Sequence, residues 1–393
     1  MVGKHGGTGG RTHRATRNGG TVIGSMSSEE GREKGTDVLD DDARRLIVDA
    51  LGTQVVIDFA STVPVEIVAA AEHAWSDAAA HGSPLPNTPV VAVSTASLET
   101  TLSDLSTRVT LAALDDVKGT ALLFHACGVA LPDGRVVAFV GPSGRGKTTA
   151  ARMLGGAYGY VSDESIAVRA GGEVLPYRKP LSVIDPSQPT KRQIPPSAAG
   201  LLGLPERPLT LSALVLLERR ADAERVLISE VPLLDAMLAL IPQMSYLASL
   251  DRPLQTLAQA IARVGGVAQV TYAEAENIRD TIEHLARRTR IAPSWQECTD
   301  HPTAVPVGRV GRAKVSDAIE LDDGSIIVMS DSTIRVLDGI APVLWLTAIR
   351  PQTREELRDA VVAVHGAPGS ADPAPLVDRA IDELVEAGLL HAP

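Results

Sequence analysis

The chain has 393 residues, of which 44% are hydrophobic and only 3% aromatic, so it can bury two or three cores built mainly from aliphatic side chains. The formal net charge of −11 disfavours nonspecific binding to nucleic acid. Two cysteines, Cys127 and Cys298, are too few for a disulfide framework and favour a reducing compartment. These properties predict a multidomain cytoplasmic protein.

Residues 1–35 are predicted to form a disordered tail. The first 25 residues are rich in Gly, Arg, His and Thr and lack the apolar core of a signal peptide. Translation that starts at Met26, and a basic tail that touches nucleic acid, are two further interpretations of this segment.

Residues 36–120 alternate short apolar strands with helices. Strands are predicted over 54–59 and 89–94, and a helix over 65–80. This order indicates a small α/β lobe that packs against the rest of the chain, and no residue pattern in the lobe indicates a chemical role.

A single histidine interrupts the apolar segment 121–131. Taken alone, His125 is more often a core histidine with satisfied hydrogen bonds than a catalytic group. A catalytic interpretation therefore depends on motifs further along the chain.

The strongest motif is a glycine-rich segment between a predicted strand, 135–140, and a predicted helix, 149–154. Its pattern, G-x-x-x-x-G-K-T, is typical of a phosphate-binding loop, because glycines allow backbone N–H groups to surround phosphate oxygens beside a positive helix end. Lys147 is expected to reach the β- and γ-phosphates of ATP, and Thr148 to bind Mg²⁺. A chance match is disfavoured by the flanking strand and helix. The residues expected to bind the cofactor are Gly141, Ser143, Gly144, Arg145, Gly146, Lys147, Thr148 and Thr149.

Two adjacent carboxylates lie within a β-rich stretch, 158–168. Asp163 and Glu164 come shortly after the glycine-rich segment. Carboxylates at a strand end beside a phosphate loop can bind Mg²⁺ and can accept a proton from an attacking hydroxyl. A solvated turn is the plainer interpretation of the same pair.

The order of these segments resembles the kinase domain of HPr kinase/phosphorylase. The matching segments are His-Ala-x-Gly-Val-Ala, G-P-S-G-x-G-K-T-T, Val-Ser-Asp-Glu and Val-Leu-Pro-Tyr-Arg-Lys-Pro, and they lie within residues 121–220. The similarity is closer still to the short forms of this family that are associated with the biosynthesis of ribosomal, post-translationally modified peptides.

The resemblance implies a role for each site residue. Asp163 would be the base toward a serine hydroxyl, and Glu164 would replace a second Asp of the family with a carboxylate that is one methylene longer. Arg178 and Lys179 would lie in a basic element that faces phosphate or substrate, and Arg178 is expected to bind the cofactor as well, although a basic turn in water is equally compatible. The segment linked to phosphorolysis is not recognisable, so the reverse activity is not expected. The implied catalytic residues are Asp163, Lys147 and His125. The implied metal ligands are Thr148, Asp163 and Glu164.

Residues 221–300 are predicted to be mostly helical and to extend the kinase-like part. The longest apolar stretch, 232–250, is interrupted by Asp235 and Pro242, which favours a core or amphipathic helix over a membrane span. Covering the nucleotide and mediating oligomerisation are both open roles for these helices. A loop over 292–306 is the predicted linker to the last domain.

Three short strands and then three helices are predicted from residue 307 to the end. Tight turns separate the strands. A capping box that begins at Thr353 and a C-cap glycine, Gly388, mark helix ends. The predicted strands cover 318–321, 325–329 and 333–337, and the predicted helices cover 340–348, 353–364 and 374–387.

This order, with the segments Leu-Asp-Gly-Ile-Ala-Pro-Val-Leu-Trp and Leu-Val-Glu-Ala-Gly-Leu-Leu, resembles a PqqD-like peptide-recognition domain. Such domains are similar to winged helices, but they bind the leader of a precursor peptide beside their third strand and against their last helix. DNA binding is the alternative, and it is disfavoured because residues 339–393 contain no lysine. The implied peptide-binding residues are Thr333, Arg335, Leu337, Leu376, Ala380, Ile381 and Leu384.

The expected fold class is therefore α/β: a P-loop, HPr-kinase-like core with a small N-terminal α/β lobe, a helical extension and a C-terminal winged-helix-like α+β domain. The expected function is leader-directed, ATP- and Mg²⁺-dependent phosphorylation of a Ser or Thr of a ribosomally made precursor peptide, because captured leader raises the local concentration of core peptide. The alternative is an adaptor that delivers the precursor to a separate modifying enzyme. The predicted domains are 1–35, 36–120, 121–300 and 307–393.

Overall fold

The computed structural model describes residues 44–94, 98–142, 144, 146–184, 191–287, 292–300, 303–367 and 372–393. These residues form a mixed α/β structure with several sheets. Within these ranges, no helix is long and apolar enough to cross a membrane. The predicted disordered tail, 1–35, lies outside the described residues and stays a prediction.

The first described part of the chain is a small α/β lobe. Its elements are β1 Arg44–Ala50, β2 Thr53–Phe59, α1 Val65–Ala74, β3 Val90–Val93 and α2 Leu98–Val117. The strands pair in chain order, with β1 and β2 antiparallel and β2 and β3 parallel. The lobe shares a buried apolar cluster with Leu123, Ala167, Leu175 and Tyr177 of the following part, so it packs against that part as the sequence predicts.

The middle part contains the glycine-rich segment and most of the strands. Its elements are β4 Leu122–Phe124, β5 Ala126–Ala130, β6 Arg135–Val140, α3 Lys147–Gly155, β7 Gly159–Ser162, β8 Ile166–Val168, β9 Val174–Leu175, β10 Leu181–Ile184, β11 Lys191–Ile194, β12 Thr210–Arg219, β13 Leu227–Val231, α4 Leu233–Leu240, β14 Met244–Ser245, α5 Pro253–Arg263, β15 Val267–Tyr272 and α6 Ile282–Arg287. The strand and helix that flank the glycine-rich segment are thus confirmed.

Six of these described strands form the main sheet, in the order β13-β15-β12-β6-β5-β7. The inner strands β6, β12 and β15 are parallel to one another. β6 is buried on both faces, because side chains of α3 and α6 share one apolar cluster with it and those of α4 and α5 share another. A strand covered in this way needs the continuous apolar sequence that it has.

The prediction that residues 221–300 are mostly helical misses four strands, which are β13, β14, β15 and a further strand at Trp295–Glu297. β13 and β15 lie in this region and complete the main sheet. Short apolar runs do not by themselves distinguish a strand from a buried helix. The pairing partner decides here, because β15 adds in parallel to β12 and β13 then pairs antiparallel to β15.

The C-terminal part contains the three predicted strands and three further short ones. Its elements are β16 Trp295–Glu297, β17 Gly311–Arg312, β18 Asp317–Leu321, β19 Ile326–Ser330, β20 Thr333–Leu337, α7 Ala341–Thr347, α8 Arg354–His365, α9 Ala374–Glu386 and β21 Leu390–His391. An antiparallel sheet runs in the order β16-β18-β19-β20, so the predicted linker supplies β16. The capping box at Thr353 and the positive φ of Gly388, 71°, confirm the predicted helix ends.

Both faces of this C-terminal sheet are covered. Alternate side chains of a strand point to opposite faces. One set shares the apolar cluster that contains α4, α5 and one face of the main sheet, and the other set packs against α7, α8 and α9. The first set is Ile319, Leu321, Ile327 and Met329. The second set is Ala318, Ile326 and Val328.

A buried carboxylate joins the C-terminal sheet to helix α5. Asp317 has no exposed surface, and its Oδ2 accepts hydrogen bonds from the backbone N–H groups of Leu254 at 2.8 Å and Gln255 at 3.1 Å, in the first turn of α5. Its Oδ1 accepts from the Gln255 side chain at 2.8 Å and from the Thr299 hydroxyl at 3.0 Å. Asp317 therefore caps a helix from a distant part of the chain.

We expect Asp317→Ala to lower the free energy of unfolding by about 2 kcal/mol, because it removes a helix cap and leaves buried donors without an acceptor. Urea unfolding measures the loss. Arg252→Ala is the matched control, since Arg252 forms an exposed ion pair with Glu297 at the same junction and should cost far less. Equal losses in the two variants would contradict a structural role for the carboxylate.

Candidate functional site

The glycine-rich segment connects β6 to α3 at the carboxyl end of the central strand. Gly144 and Gly146 adopt positive φ angles of 82° and 90°, which only glycine adopts without strain. Gly146 is the N-cap of α3 and offers no side-chain hydrogen bond to the helix. The first N–H groups of α3 therefore face the site without a capping side chain, as an anion site requires. Ser143 and Arg145 lie outside the described residues.

The Lys147 side chain lies back across this segment. Its ammonium donates to the carbonyl oxygen of Gly141 and, at 3.2 Å, to that of Pro142. Partial burial lowers the pKa of Lys147, and the nearby Cys127 and Glu164 side chains oppose that shift. The cation is thus held at the glycine-rich segment and would exchange carbonyl partners for an incoming anion.

Asp163 and Glu164 follow β7 and face the same space. The Tyr160 hydroxyl donates to Asp163 Oδ1 at 3.0 Å, and burial raises the pKa of Tyr160 well above its usual value, so the phenol stays a donor. Glu164 is exposed and pairs with Lys179, whose Nζ lies 2.8 Å from Glu164 Oε2. Asp163 and Glu164 thus lie in a bend between β7 and β8, and each has a side-chain partner.

His125 lies between β4 and β5 with its side chain exposed, while the residues on both sides of it are buried. Its backbone N–H donates to the Gln243 carbonyl at 2.7 Å, and its Nε2 lies 3.1 Å from Ser245 Oγ. Loss of hydration lowers the pKa of His125, Lys147 adds to that effect and Glu164 opposes it. The core-histidine interpretation is excluded by this exposure.

These groups surround one cleft of about 770 Å³. A helix start, cationic side chains, carboxylates and a histidine from separate parts of the sequence line this cleft. The predicted site residues that line it are His125, Gly144, Gly146, Lys147, Thr148, Thr149, Asp163 and Glu164.

Several residues of the site were not predicted from the sequence. Arg219 and Tyr272 end β12 and β15, and a Cβ atom added to Gly146 would lie 2.8 Å from the Tyr272 hydroxyl oxygen and 4.0 Å from Arg219 Cδ. Parallel strands bring their carboxyl ends to one edge of a sheet, so the strand order would have identified both residues. Ser182 and Gln243 are further unpredicted lining residues, and Lys179 of the predicted basic element also lines the cleft.

Arg178 does not line the cleft. Its guanidinium donates to the carbonyl oxygens of Tyr160 at 2.8 Å and Leu202 at 3.0 Å, and it pairs with Asp77 of the N-terminal lobe at 3.3 Å. The side chain is only 11% exposed. Arg178 thus joins the lobe to the middle part, and the neighbouring Lys179 is the cation of this basic element that reaches the cleft.

The predicted metal ligands supply one hydroxyl and two carboxylates. Thr148 and Glu164 are exposed and Asp163 is half-buried, so all three are open to the cleft. Among the described residues, no cluster of three or more His, Cys, Asp or Glu side chains could hold a metal by itself. Oxygen ligands completed by water and substrate phosphates are the usual environment of Mg²⁺, so this donor set fits that ion when it arrives with a nucleotide.

The predicted peptide-binding residues divide into surface and core positions. β20 is the edge strand of the C-terminal sheet, so it has backbone groups available for an added strand. Leu337, Ile381 and Leu384 are buried in the C-terminal core, because α9 turns Val377, Ile381 and Leu384 inward. The positions that reach the surface are Thr333, Arg335, Leu376 and Ala380.

Comparison of the sequence with models of known protein families finds no match, and comparison with curated proteins finds none either. The interpretation of this cleft therefore rests on the residues that line it and on their geometry.

We expect Gly146→Ala to weaken binding of inorganic pyrophosphate about tenfold or more, because it combines a strained backbone with a steric conflict at the Tyr272 hydroxyl. Isothermal titration calorimetry measures the change. Gly144→Ala is the control for backbone strain alone, since nothing lies within 4 Å of its added Cβ. Adding Tyr272→Phe to Gly146→Ala should restore part of the affinity; no restoration would contradict the steric component.

Proposed function

We propose that this chain is an ATP- and Mg²⁺-dependent kinase of the HPr-kinase-like type, which phosphorylates a Ser or Thr hydroxyl of a ribosomally made precursor peptide in the cytoplasm. The C-terminal part, as a PqqD-like domain, would bind the leader of that peptide. The observation that carries the proposal is the single cleft that combines an uncapped helix start and Lys147 with Asp163, Glu164 and His125.

The glycine-rich segment supports nucleotide binding. The N–H groups at the start of α3 and the Lys147 ammonium would hold phosphate oxygens, and Thr148 with the carboxylates would hold Mg²⁺. Bound ATP supplies the phosphoryl group, and Mg²⁺ neutralises part of its charge. Lys147 would then stabilise the charge that builds up during transfer.

Asp163 is the best-placed base. The Tyr160 hydroxyl donates a hydrogen bond to its Oδ1, and this bond orients the carboxylate at the cleft. Asp163 would accept the proton of the peptide hydroxyl while that oxygen forms its bond to phosphorus and ADP leaves. His125, with its lowered pKa, would be largely neutral near pH 7 and available as a hydrogen-bond partner.

The edge strand β20 and the exposed part of α9 support leader binding. An extended leader could add to β20 through main-chain hydrogen bonds, and Leu376, which is 58% exposed, offers apolar contact. The absence of lysine from 339–393 favours a peptide over DNA as the ligand of a winged-helix-like domain.

A second candidate function is that of an adaptor, which binds the precursor and delivers it to a separate modifying enzyme. The ion pair between Glu164 and Lys179 favours this candidate, because it occupies one of the carboxylates that a kinase would use for metal. An adaptor would bind the leader and leave the mass of the peptide unchanged.

We expect Asp163→Asn to lower the rate of phosphate transfer by about 10²- to 10⁴-fold while ATP binding persists, because only the base is lost. The assay follows the mass of a candidate precursor peptide in the presence of ATP and Mg²⁺. Asp222→Asn, in an exposed turn, is the control. Leader binding without any gain of mass in the unmodified protein would support the adaptor instead.

We expect Leu376→Ser to weaken binding of a labelled leader peptide about tenfold, because the leader would cover this exposed side chain. Fluorescence anisotropy measures the affinity. Val364→Ser on α8, which is 65% exposed, is the matched control and should change nothing. Similar losses in both variants would contradict the assignment of the α9 surface.

A further inference from the structure

The two side chains of the Lys179–Glu164 ion pair differ strongly in solvent exposure. Lys179 lies within the wall of the cleft with its side chain 10% exposed, whereas the Glu164 side chain is 53% exposed. The two charged groups approach to 2.8 Å. A nearly buried cation thus depends on a carboxylate that is open to the cleft.

The two partners would respond differently to separation. Glu164 could move into water at little cost, because its carboxylate is already half hydrated. Lys179 would remain as a buried, uncompensated charge, which is strongly unfavourable. Glu164 is therefore free to take another cation only when another anion reaches Lys179.

Groups that could bind a divalent cation and a phosphate lie close to this ion pair. Asp163 precedes Glu164, and the exposed Thr148 lines the same cleft, so a divalent cation would find oxygen ligands beside Glu164. Lys147 and the start of α3 would attract phosphate into the cleft that Lys179 also lines.

We propose that the Lys179–Glu164 pair couples metal binding to phosphate binding. When both ligands bind, Glu164 turns to the metal and Lys179 contacts a phosphate oxygen. The phosphate replaces Glu164 as the partner of Lys179, and the metal replaces Lys179 as the partner of Glu164, so neither charged group is left unpaired. Metal alone and metal-free nucleotide both bind weakly, and the combination binds tightly. This inference rests on the proposed nucleotide site and identifies how that site selects a metal–nucleotide complex.

The test uses the full chain with Lys179→Met, which removes the buried cation and keeps most of the side-chain volume. Mn²⁺ alone, ATP alone and ATP with Mg²⁺ are the probes, followed by calorimetry. Because Glu164 is no longer paired, Mn²⁺ alone should bind about tenfold more tightly. ATP with Mg²⁺ should bind about tenfold more weakly, since a charge-assisted contact is lost. The factor by which Mg²⁺ strengthens ATP binding should fall accordingly.

Two further variants test whether the effect belongs to the Lys179–Glu164 pair. Lys118→Met removes a lysine from an exposed ion pair with Asp115 on α2 and should change none of the three affinities. Glu164→Gln should also reduce the Mg²⁺ dependence of ATP binding, and the double variant with Lys179→Met should lower it little further, because both changes act on one pair. If Lys179→Met fails to fold, Glu164→Gln and Lys179→Arg carry the same comparison.

An unchanged Mg²⁺ dependence in Lys179→Met and Glu164→Gln, with normal ATP binding, would overturn the coupling and leave the kinase proposal intact. Absence of ATP binding by the unmodified protein would overturn the nucleotide site and the coupling together. Altered coupling with no phosphate transfer to peptide would support the pair and contradict the kinase.

Discussion

The burial of β6 on both faces is the constraint on which the rest of the site depends. Helices cover this strand on each side, and the glycine-rich segment joins its end at Val140 to the start of α3 at Lys147. Its parallel neighbours β12 and β15 end at the same edge and bring Arg219 and Tyr272 to that turn. On the other side of β6, the antiparallel β5 begins just after His125, and β7, which is antiparallel to β5, ends just before Asp163.

The C-terminal sheet is part of the same packed structure. One face of it shares an apolar cluster with α4 and α5, and Asp317 caps α5. The chain after α4 supplies Gln243 and Ser245, which contact His125 in the cleft. The C-terminal sheet is therefore connected to the cleft through packed side chains and hydrogen bonds.

The charged side chains of the cleft have few ionic partners of their own. Lys147 rests on backbone carbonyls, and Lys179 rests on an exposed Glu164. Asp163 accepts a hydrogen bond from the neutral phenol of Tyr160. A site built in this way holds few fixed counter-ions, so an incoming anion and cation can take their places at low cost.

The sequence by itself determined the local features: β6, the glycines with positive φ, the start of α3, the capping box at Thr353 and the strands β18 to β20, because apolar period and turn chemistry are local properties. Tertiary structure decided what depends on pairing partners. β13, β15 and β16 are strands because each pairs with a neighbouring strand of a sheet. Arg178 pairs with Asp77, whereas Lys179 pairs with Glu164 and lines the cleft. Which of two adjacent basic residues faces a site depends on packing across the chain, and no local pattern encodes it.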